Sequence, residues 1–300
     1  MLRTTHTSAV TEDQIDHLGH MNVMYYGVNA LAGTRAVVAD LPGWDGGFVV
    51  FDTYTRHHHE QLLGSRLEVR SSLLGADADA VRIHHELRNA DTDQLAATFL
   101  HGLCPADGGV RSAVPAATIA GVDGEPLPDY AAPRSISLDA DLLGSSPSLE
   151  TLLERGLAFR HPRAVGAQEC DADGRYRVEM APALTWAGEQ VEGEDPDHLH
   201  EMPDGSLLGW ASMETRAVFG ELPMVGTRVQ SFAAGVAIHD KVVHRVNWCY
   251  DLDSGALLTA FESISLAFDV RGRRPLSIPP GYRARTERTI QPDLAPRAAV

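Results

Sequence analysis

The sequence predicts an α+β fold built twice in one chain, each copy a long helix wrapped by a curved antiparallel sheet. Three observations predict it. Residues 20–40 carry apolar side chains at three- and four-residue steps, a series of strand-like stretches follows them, and the pattern returns in the second half at a nearly constant offset.

The helix comes first. Met21, Met24, Tyr25, Val28, Leu31 and Ala32 form its apolar series, and Pro42-Gly43 closes it. Strands are expected at 48–51, 65–74, 80–88 and 95–103, separated by Gly75, Asp77, Asp79 and the polar run 89–93. One long helix and a meander of long strands make a layered arrangement in which the sheet covers the helix. Residues 105–150 change character: prolines are dense (Pro105, Pro115, Pro126, Pro128, Pro133) and apolar periodicity is weak. The expected organisation is an N-terminal domain over 1–118, a surface linker over 119–152, a C-terminal domain over 153–282 and a polar tail over 283–300.

The repeat rests on two aligned blocks. Asp16 and Gly19 match Asp171 and Gly174 at an offset of 155. Gly64 matches Gly226 and Phe99 matches Phe261 at 162, with the Gly-Ser/Thr-Arg turn and the strands between them aligned without gaps. The seven-residue difference places an insertion between the blocks, in the acidic stretch 192–204. Two blocks in the right order favour a duplicated domain, a pseudo-dimer in one chain, over chance similarity of two meanders.

Composition bounds the function. The 300 residues are 44% hydrophobic and 22% charged, which fits a globular core. A formal charge of −16 at pH 7 argues against nucleic acid as a partner. Cys104, Cys170 and Cys249 are few, odd in number and without CxxC spacing, which argues against a disulfide scaffold and a zinc site. The N-terminal residues have no apolar signal core, and no run of about 18 apolar residues exists, so a soluble cytoplasmic protein with no membrane partner is expected.

The chemistry concentrates in Asp16-His17-Leu18-Gly19-His20-Met21-Asn22, with Tyr26 one helical turn further on. Gly19 permits a tight backbone and close ligand approach. The helix start that follows offers unpaired N–H groups and a positive dipole end, suited to a developing oxyanion. A carboxylate at Asp16 is placed to attack a thioester carbonyl or to activate a water, and His20 and Asn22 to orient that water or polarise the carbonyl. Gly19, Val23 and Tyr26 are expected against the substrate.

Asp-x-x-Gly-His-x-Asn-x-x-x-Tyr resembles the signature of the hotdog thioesterases of the 4-hydroxybenzoyl-CoA thioesterase and acyl-ACP thioesterase type. The resemblance covers residues 5–115 well and 155–280 more weakly. It implies a double hotdog, a catalytic carboxylate at Asp16, active sites where two hotdogs pair, and an acyl-CoA or acyl carrier protein thioester as substrate, with no cofactor and no metal. A dimer of such pseudo-dimers is open. So are other double-hotdog reactions on acyl thioesters, such as those of dehydratases, acyltransferases and decarboxylases, and a non-catalytic acyl-thioester sensor.

The second copy departs from the signature. Arg175, Arg177 and Ala181 stand where the first copy has His20, Asn22 and Tyr26, and Glu179 and Pro182 intrude where a helix is expected. Pro costs about 3 kcal/mol inside a helix. The second copy is then either a scaffold for one working site or, through Arg175 and Arg177, a holder of substrate phosphate or carboxylate. His57-His58-His59-Glu60 cannot bind one metal, since consecutive residues share no face. His59 or Glu60 is expected to line the cleft. Asp171-Ala172-Asp173-Gly174 resembles the start of a calcium loop but lacks the later acidic ligands.

Overall fold

The computed structural model describes residues 2–107, 110–177, 183–184 and 199–297. Two compact units divide the chain, Met1–Arg134 and Ser135–Val300.

In the first unit, β1 (Arg3–Ala9) leads through a loop into α1 (Val23–Ala39) and then into β2 (Gly47–His57), β3 (Arg66–Ala76), β4 (Val81–Asn89) and β5 (Leu95–Asp107), with a two-residue β6 (Val110–Arg111) and α2 (Ala116–Gly121) behind. The sheet order is β1-β3-β4-β5-β2, all antiparallel, with β6 beside β5. The helix packs on β1, β3, β4 and β5. Its sheet-facing side buries Tyr26 and Ala30 among Leu67, Val69, Leu87, Ala97 and Phe99. The expected helix and four strands are therefore present. β1 was not legible, because Arg3–Ala9 reads RTTHTSA and is polar along much of its length.

The apolar series read along the helix straddles two faces. Tyr26, Asn29, Ala30, Gly33, Thr34, Val37 and Val38 are buried, whereas Val23, Met24 and Val28 are exposed. At Gly33 the helix lies so close to the sheet that a Cβ would meet Val69 Cγ1 at 2.8 Å and Thr5 Oγ1 at 3.0 Å. Beside it runs a buried polar chain: Thr5 Oγ1 to Ser71 Oγ (2.6 Å), Ser71 Oγ to His85 Nδ1 (2.6 Å), His85 Nε2 to Thr34 Oγ1 (2.9 Å) and Thr34 Oγ1 to His101 Nδ1 (2.8 Å). Each member of this chain thus has a partner, which is what makes its burial tolerable.

The second unit contains α3 (Leu149–Glu154), β7 (Arg163–Ala164), β8 (His200–Glu201), β9 (Leu207–Phe219), β10 (Arg228–Ile238), β11 (Val242–Asp251), β12 (Leu257–Asp269), β13 (Arg274–Pro275) and α4 (Pro280–Glu287). Its sheet runs β9-β12-β11-β10-β7, with β8 beside β9 and β13 beside β12. The registers repeat those of the first unit: Ser71 and Phe99 flank His85 as Ala233 and Phe261 flank Asn247, every position shifted by 162. Gly64 and Gly226 take left-handed backbone at φ 80° and 84° in the equivalent turns. The segment where a second central helix is expected, with Glu179, Ala181 and Pro182, falls largely outside the described residues, as does most of the acidic stretch 192–204.

Residues 119–152, expected as a surface linker, divide between the two units, and each part is hydrogen-bonded to its own unit. In the first unit, Arg56 donates to the carbonyls of Tyr130 (2.9 Å) and Ala132 (3.3 Å). In the second, Arg216 donates to those of Ser137 (2.9 Å) and Ala140 (2.8 Å). Backbone carbonyls on a buried guanidinium leave no trace in apolar periodicity. Of the residues expected as a polar tail, those up to Glu287 lie in α4, Leu294 and Ala295 pack on the core of Phe232, Trp248 and Tyr250, and Arg155 pairs with Asp293 at 2.8 Å.

Candidate active site

The loop between β1 and α1 is built by its own hydrogen bonds. Asp16 N–H donates to His20 O (2.9 Å), Gly19 N–H to Asp16 O (3.0 Å) and Asn22 N–H to Gln14 O (2.9 Å). This closure needs Gly19 at φ 85°, a conformation costly for residues with a Cβ. Asn22 is the helix N-cap: its Oδ1 accepts Met24 N–H at 3.0 Å. That oxygen is thus engaged in capping. The next N–H, that of Val23, has no acceptor among the described residues and points out of the helix start.

Asp16 turns inward. Its Oδ1 accepts Leu18 N–H at 2.9 Å, and its Oδ2 lies 3.2 Å from His20 Nδ1. The other imidazole nitrogen, Nε2, faces Glu60 Oε1 at 3.5 Å. One histidine therefore stands between two carboxylates. The Asp16 and His20 side chains are 16% and 15% exposed and that of Glu60 is 38% exposed, so the Glu60 end of the row is the one open to solvent.

Glu60 is held by a neighbour that sequence reading missed. Gln61 is buried; its carbonyl accepts Met21 N–H (2.8 Å), and its side chain donates to Glu60 O (2.9 Å) and accepts from Asn89 (3.0 Å). Only its place beside Glu60 could have signalled this. Tyr26 closes the inner wall. It is buried, donates to His59 O at 3.2 Å and meets the His57 ring edge-on at 5.4 Å, and burial pushes its hydroxyl up to about 12. His59 itself is exposed and turns its Nδ1 to Leu95 O at 2.9 Å, away from the row. Burial holds both His57 and His58 down to about 4, as neutral imidazoles.

The second unit repeats the loop almost bond for bond. Asp171 N–H donates to Arg175 O, Gly174 N–H to Asp171 O and Arg177 N–H to Glu169 O, and Asp171 Oδ1 accepts Asp173 N–H. Gly174 has φ 78°. The chemistry does not repeat. Arg175 and Arg177 stand for His20 and Asn22, Arg177 donates to Gln168 O at 2.9 Å, and the residue 162 beyond Glu60 is the buried Leu222. The carboxylate–imidazole–carboxylate row belongs to the first loop.

Residues 10–128 match the family model described as the thioesterase-like superfamily. That match spans most of the first unit and less than half of the chain. Solved structures extend the likeness across both units. An acyl-ACP thioesterase from Bacteroides thetaiotaomicron is 8% identical, with 88% of this chain and 97% of that one covered at a TM-score of 0.58. A 12:0-ACP thioesterase from Umbellularia californica is 12% identical (89% and 94% covered, TM-score 0.58). The tesB protein of Mycobacterium avium subs paratuberculosis is 9% identical (89% and 95% covered, TM-score 0.51). At these identities the shared property is the fold, a double hotdog. No curated protein matches the sequence significantly. No helix of the described residues is long and apolar enough to cross a membrane, and no group of three or more metal-ligating side chains occurs among them.

Proposed function

We propose that this thioesterase-like protein hydrolyses an acyl thioester carried on coenzyme A or an acyl carrier protein, at the loop ahead of α1. The observation that carries the reading is the row Asp16–His20–Glu60 beside an open helix N-terminus. Sequence alone assigns the base or nucleophile to Asp16. The geometry supports a different division of labour. Asp16 has one oxygen on a backbone N–H and the other on the imidazole, so it is a positioning residue that sets the orientation of His20. The base is His20 Nε2, which with Glu60 Oε1 holds a water between imidazole and carboxylate.

The steps balance without a further reactant. Water adds to the thioester carbonyl carbon as its proton passes to His20 Nε2. The carbonyl oxygen becomes an oxyanion facing the Val23 N–H and the positive end of α1. On collapse the carbon–sulfur bond breaks, His20 returns the proton to the leaving thiolate, and a carboxylic acid and a thiol are released. Arg175 and Arg177 have no part in these steps.

The test is hydrolysis of acyl-CoA and acyl carrier protein thioesters, followed by thiol release. His20→Gln and Glu60→Gln are each expected to lower kcat about a hundredfold or more with the melting temperature unchanged. Full activity in a folded His20→Gln enzyme would overturn this assignment. Formation of enoyl absorbance from 3-hydroxyacyl thioesters in place of thiol release would overturn hydrolysis itself.

A further inference from the structure

We propose that the acyl chain of the substrate lies on the outward face of α1, not in the seam between α1 and the sheet. The inference rests on the thioesterase reading and names the acyl subsite of that same site.

The seam is filled from the site to Thr34, and the roughly 250 Å³ cavity lined by Val37, Leu41, Ser71 and Leu73 lies beyond that, at the far end of α1. Next to the site, Tyr26, Ala30, Val69, Leu87 and Phe99 are packed to 5% exposure or less. One and two turns further along, Gly33 touches the sheet and the Thr34–His85–His101 chain fills the layer with hydrogen-bonded polar atoms. An alkyl chain threaded there would have to displace close-packed side chains and leave buried donors and acceptors unpaired, each costly.

The outer face is the opposite. Thirteen large apolar side chains are exposed among the described residues; Leu18 lies in the catalytic loop, Val23, Met24 and Val28 follow it on α1, and Leu62 and Leu63 follow Glu60. Met24 and Val28 sit one turn apart on one side of the helix. The Met21 N–H to Gln61 O bond ties the helix start to the turn that carries Leu62 and Leu63. From Val23 to Val28 the helix rises roughly 7.5 Å. The shelf starts at the Val23 N–H assigned to the oxyanion, and so continues the proposed site. That continuity selects the acyl chain as its occupant, since a chain leaving the carbonyl meets apolar surface at once. A shelf open along one side sets no fixed length, so preference rises gradually with chain length and has no sharp cut-off.

The experiment uses the full chain and saturated acyl-CoA substrates from butanoyl to dodecanoyl. In Met24→Ser/Val28→Ser the KM penalty is expected to grow with chain length and reach about tenfold for dodecanoyl-CoA. Thr34→Val is expected to leave the chain-length profile as it is. A penalty independent of length, or a profile that moves in Thr34→Val and not in the shelf variant, would overturn the proposal. S-Dodecyl-CoA, a thioether, bearing a terminal diazirine provides a second readout: on irradiation, adducts at Met24, Val28, Leu62 or Leu63 support the shelf, and adducts at Leu67, Val69 or Phe99 overturn it. If no thioester is hydrolysed but the shelf is labelled, the hydrolytic reading fails and the shelf stands. If hydrolysis proceeds and the shelf variant has no length-dependent penalty, the shelf alone fails. Sedimentation of the shelf variant as a smaller species than wild type would assign the face to a second copy of the chain and also overturn the proposal.

Discussion

Asp16 and Asp171 accept equivalent backbone hydrogen bonds in equivalent loops, yet only Asp16 holds an imidazole. The difference separates what the aspartate does for the backbone from what it does for chemistry. Asparagine keeps an oxygen for the Leu18 N–H but removes the charge facing His20 Nδ1. Asp16→Asn is therefore expected to lower kcat about a hundredfold with little change in stability, whereas Asp171→Asn leaves kcat within about twofold. Steady-state kinetics of the pair decide it, and equal losses would contradict the assignment. The glycines part in a similar way. A Cβ at Gly19 meets nothing within 4 Å, so Gly19→Ala pays only for φ 85°, about 1 kcal/mol. Gly33 has ordinary helical backbone, but its Cβ would press on Val69 and Thr5, and Gly33→Ala is expected to cost about 1–3 kcal/mol through overpacking. Thermal melts of the two variants rank them.

α1 shows how an element is legible in outline and not in detail. Its extent follows from spacing and from the Pro42-Gly43 stop, but its buried side does not, because the sheet-facing positions include Asn29, Gly33 and Thr34 while Met24 and Val28 face out. Polar and small residues were selected there by partners on other strands, and a helix read alone carries no record of them. The same partners make the element sensitive to acid. Burial holds His101 down to about 4, and burial with His101 and His84 close by holds His85 well below its ordinary value. In the unfolded chain both titrate near 6.5. Between pH 6.5 and 4 the unfolded chain binds more protons than the folded one, so stability falls as pH drops through that window. His101 alone withdraws up to about 3 kcal/mol by its lower end. His101→Asn is expected to be less stable at neutral pH and to lose less on acidification. Urea melts at the two ends of the window test this, and parallel losses in wild type and variant would refute it.

Across the whole chain, duplication was readable because glycines at left-handed turns and a loop-closing aspartate hold fixed spacings, and the strand registers of the two units agree at that spacing. The straps at Arg56 and Arg216 and the packing of Leu294 and Ala295 were not readable, since they rest on backbone carbonyls and a few apolar contacts. The duplication also bears on stoichiometry. Two copies of one loop would give two sites if backbone geometry sufficed, for each supplies the same turn. Among the described residues the second has no imidazole between carboxylates: Arg175 replaces His20, and Leu222 replaces Glu60 with a buried alkyl group that can neither take a proton nor hold a water. On the proposed mechanism the reacting groups come from the first copy, and the prediction is one bound substrate per chain, not two. Calorimetric titration with a non-hydrolysable acyl-CoA thioether is expected to give one equivalent per chain, and none in a folded variant whose first loop is disabled for binding. Two equivalents in wild type, one surviving that change, would show that the arginine-bearing loop is a binding site in its own right.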